Sequence, residues 1–316
     1  MKVVIIGPGA MGCLFGGFLS LSGQEVWFLD KDPQRAQVLQ EQGISIEGIS
    51  GEHKAQVKAS SDPEDIGRPD LVIICVKSYD TFAAVQNISG LVASNTPVIT
   101  LQNGLGNAEI ISQSVGAQKT LAGVTSQGAT LLNTGHIRHA GQGPTVIGWV
   151  KAEEPGDDFN QDLILKEIVR VFKEAGFPIK TADKVNNLIW SKLIINVGIN
   201  ALTAVTRLNN GRLIEFKGTR NIMRQAIEEA LTVVSAKGIK LTFDPIIQVE
   251  EVCKATAGNV ASMLQDVLKE RRTEIEAING AIVREAEKLN LSVPVNRALT
   301  DMVKTIENSY ELRVKF

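Results

Sequence analysis

The sequence predicts an α/β domain over residues 1–182, followed by an all-helical domain over residues 183–316. In the first part, short apolar runs alternate with helical patterns, which is typical of a parallel sheet with helices on both faces. A glycine-rich turn joins the first strand to the first helix, as in dinucleotide-binding domains of the Rossmann type. Beyond residue 182 the sequence has several helical patterns and no convincing strand.

The elements of the first domain follow one another closely. Strands are predicted at Lys2–Ile6, Glu25–Leu29, Leu71–Val76, Pro97–Leu101, Thr120–Gly123, Thr145–Gly148 and Phe177–Thr181. Helices are predicted at Gly12–Ser22, Pro33–Gln42, Tyr79–Gly90, Ala108–Val115 and Asp162–Glu174. His53–Ser60 is expected to add an antiparallel piece, and the charged stretch Lys151–Gln161 to form a surface loop. In the second domain the clearest helices are Asp183–Leu202, Gly218–Lys237 and Thr273–Leu289.

The composition is that of an ordinary globular protein. The 316 residues are 44% hydrophobic and 22% charged, with a net charge of −2. Near-neutral charge without a cluster of Lys and Arg argues against a nucleic-acid surface. No apolar stretch is expected to be long enough to span a bilayer, and the first apolar run stops at Gly7, too early for a signal peptide. We therefore expect neither a nucleic-acid partner nor a membrane partner.

Cysteine and histidine usage favours a cytoplasmic protein without a metal. Cys13, Cys75 and Cys253 are far apart and form no Cys-x-x-Cys pair, so neither a disulfide framework nor a zinc site is expected. His136 and His139 have no Cys, Asp or Glu beside them at metal-site spacing. They are expected on or beside a strand.

The turn after the first strand has the pattern G-x-G-x-x-G. Gly7 allows a tight turn, Gly9 lets the backbone approach a pyrophosphate, and Gly12 lets the helix pack close to the strand. The pyrophosphate would lie on the free N–H groups at the start of the helix. The predicted cofactor-binding residues here are Gly7, Pro8, Gly9, Ala10, Met11 and Gly12.

The end of the second strand carries two residues with opposite preferences for the cofactor. Asp30 lies 18 residues after Gly12, close to the spacing of the acid that binds a free ribose 2′-OH and repels a 2′-phosphate. Lys31 follows directly and can supply positive charge for that phosphate. The residues alone therefore leave NADP(H) and NAD(H) open.

Two polar segments follow predicted parallel strands. Lys77 follows the strand that starts at Leu71, and Asn103 follows the strand that starts at Pro97. The carboxyl ends of such strands form the ligand-binding edge of an α/β sheet, so both residues are candidates for the nicotinamide end of the cofactor. For Asn103 the alternative is an ordinary Asn-Gly turn.

A helix in the second domain carries a narrow polar stripe. Lys192, Asn196 and Asn200 lie four residues apart, within an arc of ~80° and a span of ~12 Å. Their neighbours are mostly Leu, Ile and Val, and burying a lysine is costly unless its charge has a function. An ammonium group here can stabilise the negative charge that develops on a ketone oxygen during hydride addition, and can donate the proton. The alternative is a stripe that faces water.

A third cluster lies between residues 259 and 276. Ser262-x-x-Gln265 and Thr273-x-x-Glu276 each match a capping box, so two helix starts are predicted. Helix starts can also bind a carboxylate. In one straight helix Ser262 and Glu274 would be ~18 Å apart, so a break before Thr273 is needed if they share a small ligand.

With these clusters in view, the chain resembles the ketopantoate reductase family nearly end to end. The resemblance depends on the motifs Gly7–Gly12, Val76-Lys77, Gln102–Gly104, Trp190–Asn200, Asn259–Asp266, Arg271–Ile275 and Ile278–Gly280. It implies NADPH-dependent reduction of 2-dehydropantoate to pantoate, a step of pantothenate and coenzyme A synthesis. It implies that Lys192 is the general acid and that Glu274 is the second residue important for catalysis.

The same resemblance implies roles for the remaining polar residues. Asn196, Asn200, Asn259 and Ser262 would bind the substrate, a small 2-keto acid, while Asn103 and Lys77 would lie at the nicotinamide. Two other functions stay open: another 2-keto or 3-hydroxy acid dehydrogenase on the same scaffold, and a dinucleotide-binding regulator without turnover. A lysine in an apolar helix argues against the regulator. The oligomeric state is left open, with a homodimer as one alternative.

Overall fold

The first strand, β1 (Lys2–Ile6), lies inside an eight-stranded sheet, between the strands Glu25–Leu29 and Leu71–Ile74, both parallel to it. The computed structural model describes residues 1–151, 159–241 and 243–313. The described strands are β1, β2 (Glu25–Leu29), β3 (Ile44–Gly48), β4 (His53–Ala55), β5 (Lys58–Ser60), β6 (Leu71–Ile74), β7 (Val98–Thr100), β8 (Thr120–Thr125), β9 (Gly128–Asn133), β10 (His136–Gly141), β11 (Thr145–Trp149) and β12 (Ile179–Thr181).

The large sheet has the order β12-β11-β8-β7-β6-β1-β2-β5. It is parallel from β5 to β8, as the sequence predicts, but β11 runs antiparallel to β8. The chain between these two strands folds into β9 and β10 rather than into a crossover helix, and a parallel pair needs such a crossover. The prediction of a parallel sheet is thus confirmed for its larger part and wrong at this edge.

A second sheet of four strands has the order β4-β3-β10-β9. Neither β3 nor β9 is predicted from the sequence. The segment His53–Ser60 divides between the sheets: β4 pairs antiparallel with β3, as predicted, whereas β5 pairs parallel with β2 in the large sheet. His136 and His139 lie on β10, as expected.

The described helices are α1 (Ala10–Leu21), α2 (Pro33–Gln42), α3 (Thr81–Asn87), α4 (Asn107–Val115), α5 (Gln161–Glu174), α6 (Val185–Thr206), α7 (Lys217–Ala236), α8 (Pro245–Ala255), α9 (Ser262–Leu268), α10 (Asn279–Lys288) and α11 (Pro294–Asn308). Helices α1, α2 and α4–α7 agree with the predicted helices within four residues, whereas α8 and α11 have no counterpart among the predicted ranges. The predicted helix Tyr79–Gly90 is shorter, because a 3₁₀ turn at Ser78–Asp80 precedes α3. The predicted helix Thr273–Leu289 is a 3₁₀ turn, Ile275–Ala277, followed by α10. Most of the predicted loop Lys151–Gln161 lies outside the described residues.

The chain forms two compact units. The first comprises Met1–Gln102 and Asn107–Asn186, and the second comprises Asn103–Gly106 and Asn187–Phe316. In the first unit, one core cluster joins β1 to Phe15 of α1 and Phe172 of α5, whose ring centroids are 5.8 Å apart. Another joins the opposite side of β1 to α3 and α4. In the second unit, the described regular elements are all helical, as predicted.

Helix α6 is the buried helix of the second unit's core. Trp190, Leu193 and Val197 on it pack with residues of α7 and α10. By length and composition this 22-residue helix could cross a membrane, so the expectation that no apolar stretch reaches that length is wrong. However, 67% of its apolar window is buried in the structure, and a core helix passes the same test.

Candidate active site

The glycine turn forms a cradle at the start of α1. Gly7 has φ 94°, a conformation that side chains disfavour, and a Cβ on Gly12 would collide with the carbonyl oxygen of Gly7. Above Gly9 there is room, since the nearest atom to an added Cβ is Cys75 O at 4.0 Å. Gly9 caps α1 without a side-chain hydrogen bond, so the first N–H groups of the helix keep their donor capacity for a ligand. The turn therefore fits a pyrophosphate, as the motif predicts.

Asp30, at the end of β2, is buried and already paired. Its side chain is 2% exposed, and Oδ1 accepts hydrogen bonds from Arg35 Nη2 at 2.6 Å and from the backbone N–H of Asp32 at 3.1 Å. Its other oxygen, Oδ2, is buried without a hydrogen-bond partner among the described residues. The cation beside Asp30 is thus Arg35, which was not predicted from the sequence, and not Lys31. The signal was present, because Arg35 lies in the first turn of α2, directly after the cap formed by Asp32.

Lys31 points to a different acid. Its Nζ pairs with Asp80 Oδ1 at 3.2 Å, and its side chain is 74% exposed. Arg35, at 47% exposed, is the more enclosed of the two cations at this rim. The charges of Lys31 and Asp30 thus do not neutralise one another, because Lys31 pairs with Asp80 and Asp30 pairs with Arg35.

The segment that carries Lys77 is fixed by Gln102. The Nε2 of Gln102 donates to Val76 O at 2.6 Å and to Thr81 Oγ1 at 2.9 Å. This amide therefore ties the end of β7 to the segment after β6. Lys77 itself is half-buried and precedes the 3₁₀ turn Ser78–Asp80. Gln102 is therefore a positioning residue, a role that the motif Gln102–Gly104 does not by itself predict.

In the second unit, the polar stripe of α6 lies in largely apolar surroundings. Lys192 and Asn196 are half-buried, and Asn200 is 6% exposed. Asn196 Nδ2 is buried and has no hydrogen-bond partner among the described residues. An unpaired buried amide is costly, so this donor is suited to bind a ligand oxygen.

Lys192 and Glu274 interact electrostatically. Burial lowers the pKa of Lys192 to about 8, and the negative charge of Glu274 acts in the opposite direction. A pKa near neutrality suits a general acid, since the group is protonated at working pH and still releases its proton readily. The two residues that the resemblance implies for catalysis thus lie close enough to influence one another.

Glu274 is buried at the start of a short hydrogen-bonded turn. It is 8% exposed and precedes the 3₁₀ turn Ile275–Ala277. Beside it, Thr273 Oγ1 accepts a hydrogen bond from the Ile275 N–H at 3.1 Å, and the Thr273 N–H donates to Glu307 Oε1 at 2.7 Å. A break separates this turn from α9, as required if the two segments share a ligand: Glu270 has φ 52°, and Arg271 N–H returns to Asp266 O.

The loop that carries Asn103 lies against the same turn. Leu105 N–H donates to Ala277 O at 2.9 Å. Gly104 has φ 85°, and a Cβ there would collide with Ala277 O. Asn103 therefore belongs to the same compact unit as Glu274.

Asn259 and Ser262 are exposed residues around the start of α9. Asn259 O accepts a hydrogen bond from Asn210 N–H at 3.1 Å, which fixes its backbone. The predicted capping box at Ser262 is wrong: α9 begins at Ser262 itself, with Ala261 as cap, and Gln265 Nε2 donates to Val260 O. The second box is wrong as well, because Thr273 Oγ1 accepts from Ile275 and a 3₁₀ turn follows. A substrate role for Asn259 and Ser262 stays a prediction.

Two domain profiles match the sequence. The profile described as ketopantoate reductase PanE/ApbA matches residues 3–152, and its C-terminal counterpart matches residues 184–307. Proteins named 2-dehydropantoate 2-reductase from Halobacterium salinarum and Aquifex aeolicus are 33% and 34% identical to this chain. The alignments cover 96% and 97% of this chain, and 98% and 97% of those proteins.

Solved structures resemble the whole chain. A PanE/ApbA family ketopantoate reductase from Ralstonia eutropha JMP134 is 35% identical with a TM-score of 0.88, covering 98% of this chain and 100% of that one. D-mandelate dehydrogenase, in a ternary structure with NADH and anilino(oxo)acetate, is 27% identical with a TM-score of 0.89, covering 98% and 99%. Since the two profiles span most of the sequence and the relatives match it over nearly its full length, the chain belongs to the ketopantoate reductase family.

Proposed function

We propose that this protein reduces 2-dehydropantoate to pantoate with NADPH, in the pantothenate and coenzyme A pathway. The observation that carries the proposal is the electrostatic coupling of Lys192 to Glu274, beside an unpartnered buried amide on Asn196. This arrangement supplies one proton donor and hydrogen-bond donors for a small, oxygen-rich anion. The family membership gives the substrate.

In the proposed reaction the cofactor, when bound, supplies the hydride. Lys192 donates a proton to the oxygen of the substrate ketone as negative charge develops there, so the ketone becomes a secondary alcohol. Glu274 favours the protonated form of Lys192 before each turnover. Asn196 and Asn200 bind substrate oxygens along the same helix face, and Asn103, Asn259 and Ser262 are proposed as further substrate contacts.

The glycine turn, the end of β2 and the segments that follow β6 and β7 are proposed to hold the cofactor. The turn Gly7–Gly12 binds the pyrophosphate, Lys77 and Asn103 lie at the nicotinamide, and Asp30 with Lys31 lies at the ribose. Because Arg35 neutralises Asp30, a 2′-phosphate meets less repulsion than the sequence alone suggests. We therefore favour NADP(H), while NAD(H) stays an alternative.

We also propose that residues 1–182 serve the cofactor and residues 183–316 serve the substrate.

We further propose a cytoplasmic location. Burial raises the pKa values of Cys13 and Cys75 to about 12, which keeps both thiols unreactive. Cys13, Cys75 and Cys253 are free thiols in the structure, and this supports the proposal of a reducing compartment.

The likeness to D-mandelate dehydrogenase favours a second candidate, an NADH-dependent reductase of an aromatic 2-keto acid. A single assay separates the two. The purified protein is mixed with NADPH or NADH, and with 2-dehydropantoate or 2-oxo-2-phenylacetate, while the 340 nm absorbance of the reduced nicotinamide is followed. We expect the highest kcat/KM for 2-dehydropantoate with NADPH. Turnover of the aromatic acid alone would establish the second candidate, and no turnover of either acid would refute both.

A further inference from the structure

A buried polar chain links four helices of the second unit. Asn279 and Asn296 are both 0% exposed. Asn279 Nδ2 donates to Val197 O of α6 at 3.3 Å and to Asn296 Oδ1 at 3.0 Å. Asn296 Nδ2 in turn donates to Ala226 O at 2.9 Å and to Glu229 Oε2 at 2.8 Å, both on α7.

The orientation of both amides follows from their partners. Ala226 O and the Glu229 carboxylate accept hydrogen bonds, so the NH₂ group of Asn296 must face them and its oxygen must face Asn279. Asn279 therefore presents its own NH₂ group to that oxygen and to the Val197 carbonyl. Glu229 also accepts the backbone N–H groups of Val295 and Asn296, which anchors the far end of the chain at the start of α11.

Asn279 links the helix that carries Lys192 to the turn that carries Glu274. Its side chain contacts α6 at Val197, the residue after Asn196 and about 7.5 Å along the helix from Lys192. Its backbone starts α10, directly after the turn that begins at Glu274. That turn is tight, since Ala277 N–H bonds Glu274 O at 3.0 Å and Ile278 N–H bonds Ile275 O at 3.1 Å. A shift of Asn279 along α6 would therefore move Glu274 relative to Lys192.

We propose that Asn279 is a positioning residue that fixes the distance between the helix of Lys192 and the turn of Glu274. The catalytic value of this role rests on the proposed function. The position of Glu274 relative to Lys192 can, however, be measured without turnover. The amide donors of Asn279 and Asn296 are all used, while Asn279 Oδ1 is buried without a hydrogen-bond partner among the described residues. Hydrogen bonds in such a buried site favour one arrangement of the helices they join, which is the property that a positioning role requires.

The test is the titration of Lys192, followed by NMR on protein with isotopically labelled lysine side chains. The Lys192 signal is assigned by its disappearance in Lys192→Met. Glu274 is the charge that raises the pKa of Lys192, so its withdrawal must lower that pKa. We expect Asn279→Ala to lower the Lys192 pKa by about half a pH unit or more, and Glu274→Gln to lower it at least as far.

A double-mutant cycle separates positioning from general loosening. If Asn279 acts through Glu274, Asn279→Ala should add no further change to the Lys192 pKa in a Glu274→Gln background. Asn210→Ala is the matched control: it also removes a buried amide from the second unit, where Nδ2 bonds Thr256 Oγ1 at 2.9 Å. It should lower Tm and leave the Lys192 pKa unchanged.

Should Asn279→Ala fail to fold, Asn279→Ser gives the same test, since its hydroxyl can donate to one acceptor instead of two. A Lys192 pKa that stays the same or rises in these variants would overturn the proposal, whatever the loss in Tm. If the pKa falls as expected and the enzyme still reduces no 2-keto acid, positioning holds and the proposed function fails. If the Lys192 pKa does not fall but the enzyme reduces 2-dehydropantoate, the positioning role is rejected and the proposed function stands.

Discussion

Arg35 donates a hydrogen bond of 2.6 Å to Asp30 at the end of β2, so the acid that would repel a 2′-phosphate already has a cationic partner. Asp30 is 2% exposed while Arg35 is 47% exposed, which places the cation toward solvent and the anion beneath it. The rim of the expected ribose site is therefore less acidic than its sequence indicates.

The Arg35→Ala variant should shift cofactor preference toward NADH. Without its partner Asp30 would accept a ribose 2′-OH and repel a phosphate. Hydrogen bonds to charged groups contribute about 1.5–3 kcal/mol, so the NADPH/NADH ratio should fall by about tenfold or more. Fluorescence titration gives Kd for each cofactor, and kinetics give the ratio of kcat/KM. Arg138→Ala, which removes an exposed arginine from its pair with Glu47, is the control. An unchanged ratio in Arg35→Ala would place the phosphate site elsewhere.

Single substitutions of Asp30 and Lys31 should change the cofactor preference in opposite directions. Asp30→Ala frees Arg35 and should raise the preference for NADPH, at some loss of stability because Asp32 N–H loses its acceptor. Lys31→Ala should move preference toward NADH by a smaller factor, since this exposed lysine pairs with Asp80. The same cofactor titrations measure both. An NADPH/NADH ratio that stays at the wild-type value in both variants would show that neither residue senses the ribose.

The Lys192→Ala variant should lose most of its turnover. Removing a general acid typically costs about 10²–10⁴ in rate. The Kd for NADPH should stay near the wild-type value, because the glycine turn belongs to the first unit and Lys192 to the second. Lys254→Ala, at an exposed lysine of α8, is the control and should keep full kcat. A Lys192→Ala enzyme with near wild-type kcat would show that another group donates the proton.

The pH dependence should have opposite signs in the two reaction directions. Reduction needs Lys192 protonated, so its kcat/KM should be constant below a pKa of about 8 and fall as pH rises through it. Oxidation of pantoate needs the neutral amine and should increase through the same pH. Rates measured from pH 6 to about 10 test this, with Lys192→Arg as the comparison, since arginine stays protonated there. A reduction rate that does not fall near pH 8 would contradict the assignment.

Local sequence signals predicted several helices and strands of the first unit closely, and long-range contacts explain where the prediction failed. Helix α2 is predicted to the residue because Asp32 caps it, Pro33 begins it and Gly43 ends it. The strand β3 was missed because it depends on pairing rather than on a local pattern. Its partner β4 has only three residues, and its partner β10 lies far away along the sequence. The break after α9 has no glycine or proline to signal it, since Glu270 itself adopts φ 52°. The stripe on α6 was predicted because its spacing is helical. The Asp30–Arg35 pair was missed although Arg35 lies in the first turn of the correctly predicted helix α2.

The Glu274→Ala variant tests whether this carboxylate serves the substrate or the fold. If it supports Lys192, kcat/KM should fall strongly and the Lys192 titration should move to lower pH, because the charge that raises its pKa is gone. If it is merely a carboxylate at the start of a helical turn, stability should fall by a few tenths to ~1 kcal/mol with kinetics intact. Glu276→Gln is the matched control, since Glu276 lies on the same turn but pairs with Arg284 and Lys304 at the surface. Kinetics and thermal melts on both variants separate the two roles. If Glu274→Ala and Glu276→Gln lose the same Tm and kcat/KM is unchanged in Glu274→Ala, Glu274 is not part of the catalytic pair.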